Sequence, residues 1–206
     1  MFISKALSVN TKGHLTIGGA DTIELAENFG TPLYVLDENL IVENIKSYKQ
    51  IIDSEYHGNG MVLFASKAFC TKEMCRIAHR EGIGLDVVSG GEIHTAISAG
   101  VPAEKLCFHG NNKDYSELLH AIKIGVGRIV SDSAEELKMI NNIAELENKR
   151  PNVLLRVKPG IDAHTHEFVM TGQIDSKFGV DLKNGDALSV LSESYDHLNL
   201  VGVHCH

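Results

Sequence analysis

The chain has 206 residues, of which 43% are hydrophobic and 22% are charged, so it can bury a core as one large domain or two small ones and is not a disordered tail. Its 19 basic and 27 acidic residues give a net charge of −8, which disfavours a nucleic-acid or anionic-membrane surface, since both need dense Lys and Arg. No apolar run approaches the ~20 residues of a membrane span, and the first residues show no signal peptide. The four cysteines form no CxxC pair, which predicts reduced thiols in the cytoplasm.

Predicted strands and helices alternate along the chain. Apolar residues recur at helical spacing over Asp37–Tyr56, and the short apolar run Met61–Ala65 predicts a buried strand. The same criteria predict helices at Thr71–Ala78, Glu92–Ala99, Tyr115–Ile124, Ser133–Asn148 and Ala187–Ser194, and strands at Gly84–Val88, Leu106–His109, Arg128–Val130, Val153–Val157 and Val201–His206. Alternating elements with continuous apolar strands predict a parallel α/β sheet.

Two parts of the chain depart from this alternation. A long polar stretch around Ile161–Val180 interrupts the regular spacing of strand ends and predicts an insertion, either a solvated loop or a lid over the strand ends. Near the N-terminus, His14–Ile17 and Leu33–Leu36 predict short strands around a helix at Thr22–Asn28. These early residues are expected to form a separate layer.

Titratable side chains follow the ends of five of the six predicted strands. A barrel or doubly wound active site requires such groups at the carboxyl edge of a parallel sheet, although turns after strands are also polar without a function. Lys67 is the sharpest candidate, because burial after an apolar strand would favour the neutral, nucleophilic amine. The full set is Lys67, Asp86, His109, Arg156 and the pair His204 and His206.

Two further patterns each allow more than one interpretation. His204 and His206 share a strand face, so they could bind zinc with His164–His166, stack on a flat cofactor, or be structural. Cys205 would lie on the opposite face, which disfavours zinc. Ser89-Gly90-Gly91 could approach a phosphate at a helix start, although glycine there more often serves turn geometry.

Seven segments together resemble the N-terminal half of the diaminopimelate decarboxylases, which are alanine-racemase-like (fold-type III) enzymes that use pyridoxal 5'-phosphate (PLP). They are TPLYVLDENLIVENI, FASKAF, GLDVVSGGEI, FHGNNK, RVKPGIDAHTHEFVMTG, SKFGV and GVHCH, in order from about Thr31 to His206. The resemblance implies that residues 37–206 form about six of the eight units of a PLP-binding (β/α)8 TIM-type barrel. It further implies that residues 1–36 join a β-domain that is otherwise missing, and that the chain is truncated at His206.

The resemblance also implies roles for individual residues. Lys67 matches the lysine that carries PLP and is the catalytic residue. Asp86 and Glu92 match the acidic pair of the family's DxxSxxE pattern, with Asp86 near the Lys67 amine and Glu92 expected to be structural. The remaining implied cofactor-binding residues are the strand arginine Arg156, the site-lining His109 and the ring-stacking His206. No metal is implied.

The implied activity is PLP-dependent decarboxylation of meso-diaminopimelate to L-lysine and CO2, in lysine biosynthesis. It would take place in a cytoplasmic homodimer whose active sites lie at the interface, and the chain alone is expected to be inactive. The polar insertion that contains His164-Thr165-His166 favours diaminopimelate as the substrate. Ornithine, arginine and carboxynorspermidine are the substrates of related decarboxylases and are disfavoured. A non-enzymatic PLP-binding homeostasis barrel is the alternative from another class.

Overall fold

The computed structural model describes residues 3–160 and 178–206. Clustering of the backbone separates two compact units, of which one ends at Val62 and the other runs from Leu63 to His206. No helix in the described ranges combines the length and the apolar character that a membrane span requires.

The first unit combines a small antiparallel sheet with two capped helices. Asp21 accepts a hydrogen bond from the backbone of Ile23, and Asp37 accepts one from Leu40, so both helices begin at an aspartate. The predicted strand at Leu33–Leu36 is wrong, because these residues join no ladder in the described chain. The elements are β1 (Leu7–Val9), β2 (Leu15–Ile17), β3 (Ala20–Asp21), α1 (Thr22–Phe29) and α2 (Glu38–Glu55).

The second unit is a partial (β/α)8 barrel. Its strands pair in parallel in the order β10-β8-β7-β6-β5-β4, and the short β9 also pairs with β8. The strands are β4 (Leu63–Ala65), β5 (Gly84–Val87), β6 (Leu106–Phe108), β7 (Arg128–Ser131), β8 (Asn152–Lys158), β9 (Val180–Asp181) and β10 (Asn199–His204). The helices are α3 (Lys72–Arg80), α4 (Gly90–Ser98), α5 (Tyr115–Ile124), α6 (Ala134–Leu146) and α7 (Asp186–Ser192), with short 3-10 turns at Ser66–Ala68 and Ala103–Lys105.

The core of the second unit lies between the central strands and the apolar helix faces. Leu85, Phe108 and Ile129, from three adjacent strands, have no exposed surface, as expected for parallel strands covered by helices. Each helix from α3 to α6 begins after a residue whose side chain accepts a hydrogen bond from the backbone three positions later; these residues are Thr71, Ser89, Asp114 and Ser133.

The alternation predicted from the sequence is confirmed, with element ends shifted by at most two residues. The last strand differs most, because it lies at Asn199–His204 and leaves Val201 and Val203 about half exposed. It pairs only with β8, so one edge has no neighbouring strand in the described chain. Of the predicted insertion, residues 161–177 lie outside the described residues.

Gly127 provides a test of this packing, because a Cβ there would lie 2.1 Å from the carbonyl oxygen of Glu104. Backbone cannot rotate away, so Gly127→Ala is expected to lower the free energy of unfolding by about 1–3 kcal/mol in urea denaturation of the full-length protein that contains these residues. Gly91→Ala is the control, since its nearest atom is 3.7 Å away in the first turn of α4. It should be neutral or slightly stabilising, and equal effects of the two variants would contradict the packing argument.

Candidate active site

Lys67 lies on the 3-10 turn Ser66–Ala68, directly after β4. The preceding Ser66 is buried, with 1% of its surface accessible, whereas Lys67 itself is exposed. The burial expected for this lysine is therefore not found. The physical reason is that β4 pairs only with β5 in the described chain, so the turn after it is open on one side.

Glu92 fixes the turn that carries Lys67. Its Oε2 lies 2.5 Å from the hydroxyl of Ser66, and the same oxygen accepts a hydrogen bond from the backbone of Val88 at 2.9 Å. The Ser66 hydroxyl also lies 2.7 Å from the carbonyl oxygen of Asp86. Glu92 thus ties the end of β4 to the turn between β5 and α4, which are the contacts of a structural residue.

Asp86 and His109 face each other at the ends of adjacent strands. Asp86 pairs in register with Ala65 on one side and Cys107 on the other, and its Oδ2 lies 3.8 Å from Nδ1 of His109. His109 directly follows β6 and is only 7% exposed. Its Nε2 is buried and has no hydrogen-bond partner among the described residues.

Three histidines cluster at this edge of the sheet. The ring centroid of His109 lies 4.6 Å from that of His204 and 6.0 Å from that of His206, and the last two are also 6.0 Å apart. Nδ1 of His204 is a second buried nitrogen without a partner in the described chain. Burial, and then the charges of Arg156, His109 and Lys67, lower the pKa of His206 against the opposing effect of nearby Asp86. The structure therefore brings Lys67, Asp86, His109 and Arg156 within electrostatic reach of His206.

Arg156 is buried in β8 and is held by a residue that the sequence analysis missed. Its Nη1 donates to Oδ1 of Asp132 at 2.9 Å, and its guanidinium lies 4.4 Å from the ring centre of Phe178. The backbone of Gly179 donates to the other oxygen of Asp132 at 3.2 Å. Asp132 follows the apolar strand β7, so the criterion that found Lys67 would also have found it.

The alternative interpretations of the sequence fare differently. No group of three His, Cys, Asp or Glu side chains in the described ranges is arranged to hold a metal ion, and His164 and His166 lie outside those ranges. At the start of α4, the backbone N–H of Gly90 already donates to Oε1 of Glu117 at 2.7 Å. This amide is therefore not available to a phosphate.

The titration of His204 tests the geometry of the histidine cluster. Burial, followed by the charges of His109, Arg156 and His206, lowers its pKa from 6.5 to about 4. Between these values the unfolded chain binds a proton that the folded chain does not, so stability is greatest above pH 6.5 and falls as the pH is lowered towards 4. Histidine-selective NMR on the apo full-length protein should show this ring neutral at pH 5.5.

His204→Gln is the matched variant for this titration. It removes the group whose pKa is lowered, so the loss of stability between pH 6.5 and 4 should be smaller than in the wild type. Unchanged pH dependence in the variant, together with a His204 resonance that titrates near 6.5, would contradict the buried position of this ring.

Known proteins resemble this chain in sequence and in fold. Residues 38–206 match the family of pyridoxal-dependent decarboxylases, pyridoxal binding domain. The diaminopimelate decarboxylases of Bacillus methanolicus and Bacillus subtilis are 50% and 46% identical, over 100% of this chain and 48% and 47% of their own lengths. The solved structure of the diaminopimelate decarboxylase from M. jannaschii with L-lysine has a TM-score of 0.88 and 33% identity, over 100% of this chain and 48% of that one.

The chain thus spans about half the length of the relatives that it matches. The resemblance seen in the sequence motifs is confirmed, and it extends beyond the motifs to the arrangement of the strands. Since the family match covers the whole of the second unit and α2, the chain belongs to the pyridoxal-dependent decarboxylases, with residues 38–206 as their pyridoxal-binding domain.

Proposed function

We propose that the full-length protein containing these residues binds PLP through Lys67 and decarboxylates meso-diaminopimelate to L-lysine and CO2. The observation that carries the proposal is the convergence of Lys67, Asp86, His109, Arg156 and His206 at one edge of the parallel sheet. Similarity along the whole chain to diaminopimelate decarboxylases supports the choice of substrate.

The chemistry of these residues fits PLP. A covalent aldehyde cofactor needs an accessible amine, and Lys67 is exposed on its turn. Its polar ring substituents need partners, and Nε2 of His109 and Nδ1 of His204 are buried nitrogens without one in the described chain. Its negative charge needs cationic groups nearby, and the edge carries Lys67 and also Arg156, the latter paired with Asp132.

The chain's residues would divide the work of holding the cofactor. Lys67 would attach the cofactor through Nζ. Asp86, on the neighbouring strand β5, would orient the ring of His109. His204 and His206 offer flat rings whose lowered pKa values favour the uncharged form. When bound, PLP supplies the electron sink for the electron pair that stays on the substrate carbon as CO2 leaves.

We extend the proposal to the assembly and its location. Free thiols at Cys70, Cys75, Cys107 and Cys205 support a reducing, cytoplasmic setting. In the proposed enzyme two copies form a homodimer with active sites at the interface, and residues 1–36 join a β-domain. Analytical ultracentrifugation of the full-length protein, with and without PLP, tests the dimer.

Borohydride trapping tests the role of Lys67. Reduction of the full-length protein in the presence of PLP should place the label on the peptide that contains Lys67, because borohydride reduces the bond between the lysine amine and the cofactor aldehyde. Lys67→Ala should lose this label and lower kcat by about 10²–10⁴-fold, the range for a group that takes part in proton transfer.

The matched control is Lys72→Ala, which removes another exposed lysine at the start of α3. This variant should label and turn over like the wild type. A label that maps to any other lysine in the wild-type protein would contradict the assignment.

A substrate screen tests the reaction. We expect CO2 release from meso-diaminopimelate with a kcat/KM at least about tenfold above that for ornithine, arginine or carboxynorspermidine, because a site built for a second charged amino-acid group rejects substrates that lack it. A preference for ornithine would move the protein to another decarboxylase of the same fold. Stoichiometric PLP binding without CO2 release from any of these compounds would favour the homeostasis barrel.

A further inference from the structure

Lys113 is a buried cation that the proposed reaction does not use. It lies between β6 and α5, and only 1% of its side chain is exposed. Its Nζ donates to the carbonyl oxygens of Gly110 and Val130, the latter at 2.8 Å, and lies 2.8 Å from Oε1 of Glu136. A buried ammonium needs this number of partners, because burial without them is highly unfavourable.

The partners of Lys113 lie next to the candidate active site. Gly110 directly follows His109, so the first carbonyl belongs to the turn that carries this histidine. Val130 lies two residues before Asp132, so the second belongs to the strand end that carries the partner of Arg156. One ammonium therefore joins the two strand ends on which these site residues depend.

A second series of contacts links Lys113 to Arg156 through the carboxylates of Glu136 and Asp132. Oε2 of Glu136 accepts a hydrogen bond from the backbone of Asp132 at 2.7 Å, and the side chain of Asp132 binds Arg156 at 2.9 Å. Burial raises the pKa of Glu136, and the charge of Lys113 opposes that rise. Lys113 thus favours the ionised carboxylate, which accepts the Asp132 hydrogen bond more strongly than a neutral acid.

We propose that Lys113 is a positioning residue for the PLP site, which acts by holding the turn of His109 and the Asp132–Arg156 pair in place. The proposal rests on the proposed function, since it assumes that these residues hold the cofactor. It assigns no contact between Lys113 and the cofactor. Loss of the ammonium should therefore weaken cofactor binding and lower kcat, while leaving the KM for the amino-acid substrate within twofold.

The chain offers a matched control between the same two strand–helix units. Lys123 of α5 pairs with Glu147 beyond α6 at 3.3 Å, and Lys123 is about half exposed. This pair joins the same βα units as Lys113 and Glu136 but lies on the surface, where ion pairs contribute little. Lys123→Met should bind PLP and turn over like the wild type.

The test compares Lys113→Met with the double variant Lys113→Met/Glu136→Gln in the full-length protein. The double variant removes the uncompensated buried carboxylate that the single variant leaves. We measure the melting temperature of each apo protein, the dissociation constant for PLP well below that temperature, and the steady-state constants for meso-diaminopimelate. The melting temperature of the double variant should lie closer to that of the wild type than to that of Lys113→Met. The dissociation constant of the double variant for PLP should still be at least fivefold above the wild-type value, and its kcat at least fivefold below.

Each outcome bears on the proposal. Recovery of both melting temperature and PLP affinity in the double variant would overturn it, because the role of Lys113 would then be structural only. Failure of both variants to fold would also overturn it, since it would assign Lys113 to the fold as a whole. A wild type that binds no PLP would overturn the proposed function as well, whereas wild-type-like Lys113→Met beside an active wild type overturns this inference alone.

Discussion

Carboxylates at the starts of α4, α5 and α6 tie three successive strand–helix units of the barrel each to the unit before it. Each lies three residues into its helix after the capping residue, and each reaches a polar group of the preceding unit. The three pairs are Glu92 with Ser66, Glu117 with Gly90, and Glu136 with Lys113. Because hydrogen bonds to charged groups are each worth roughly 1.5–3 kcal/mol, these contacts fix the relative positions of the strand ends, on which the whole candidate site depends.

This use of glutamates also shapes the electrostatics of the site. The positive ends of the helix dipoles favour carboxylates at the helix starts. Backbone amides and neighbouring side chains donate hydrogen bonds to the carboxylate oxygens there. The strand ends carry Lys67, Arg156 and the three histidines, together with two acids: Asp86 beside His109, and Asp132 bound to Arg156. Burial lowers the pKa of His204 and His206, so these two rings add no positive charge to the edge at neutral pH.

Local patterns predict most of this fold, and long-range contacts decide the rest. Apolar spacing predicts α5 at Tyr115–Ile124 to the residue, because this signal lies within the helix itself. The strand predicted at Leu33–Leu36 fails because β-propensity forms a strand only beside a partner. Similarly, nothing local distinguishes Lys113 from a surface lysine, since its burial depends on Val130 and Glu136, far along the chain.

Lys67 is exposed although its flanking residues are apolar, because β4 has a neighbouring strand on one side only in the described chain. The neighbouring Ser66 is buried, and its hydroxyl donates a hydrogen bond to Glu92. The backbone of the turn is therefore fixed, while the side chain of Lys67 stays accessible. Covalent attachment of a cofactor needs both properties, because the amine must first reach the aldehyde and then hold it in one orientation. The backbone position of Lys67 therefore depends on the carboxylate contact that Glu92 of α4 makes with Ser66.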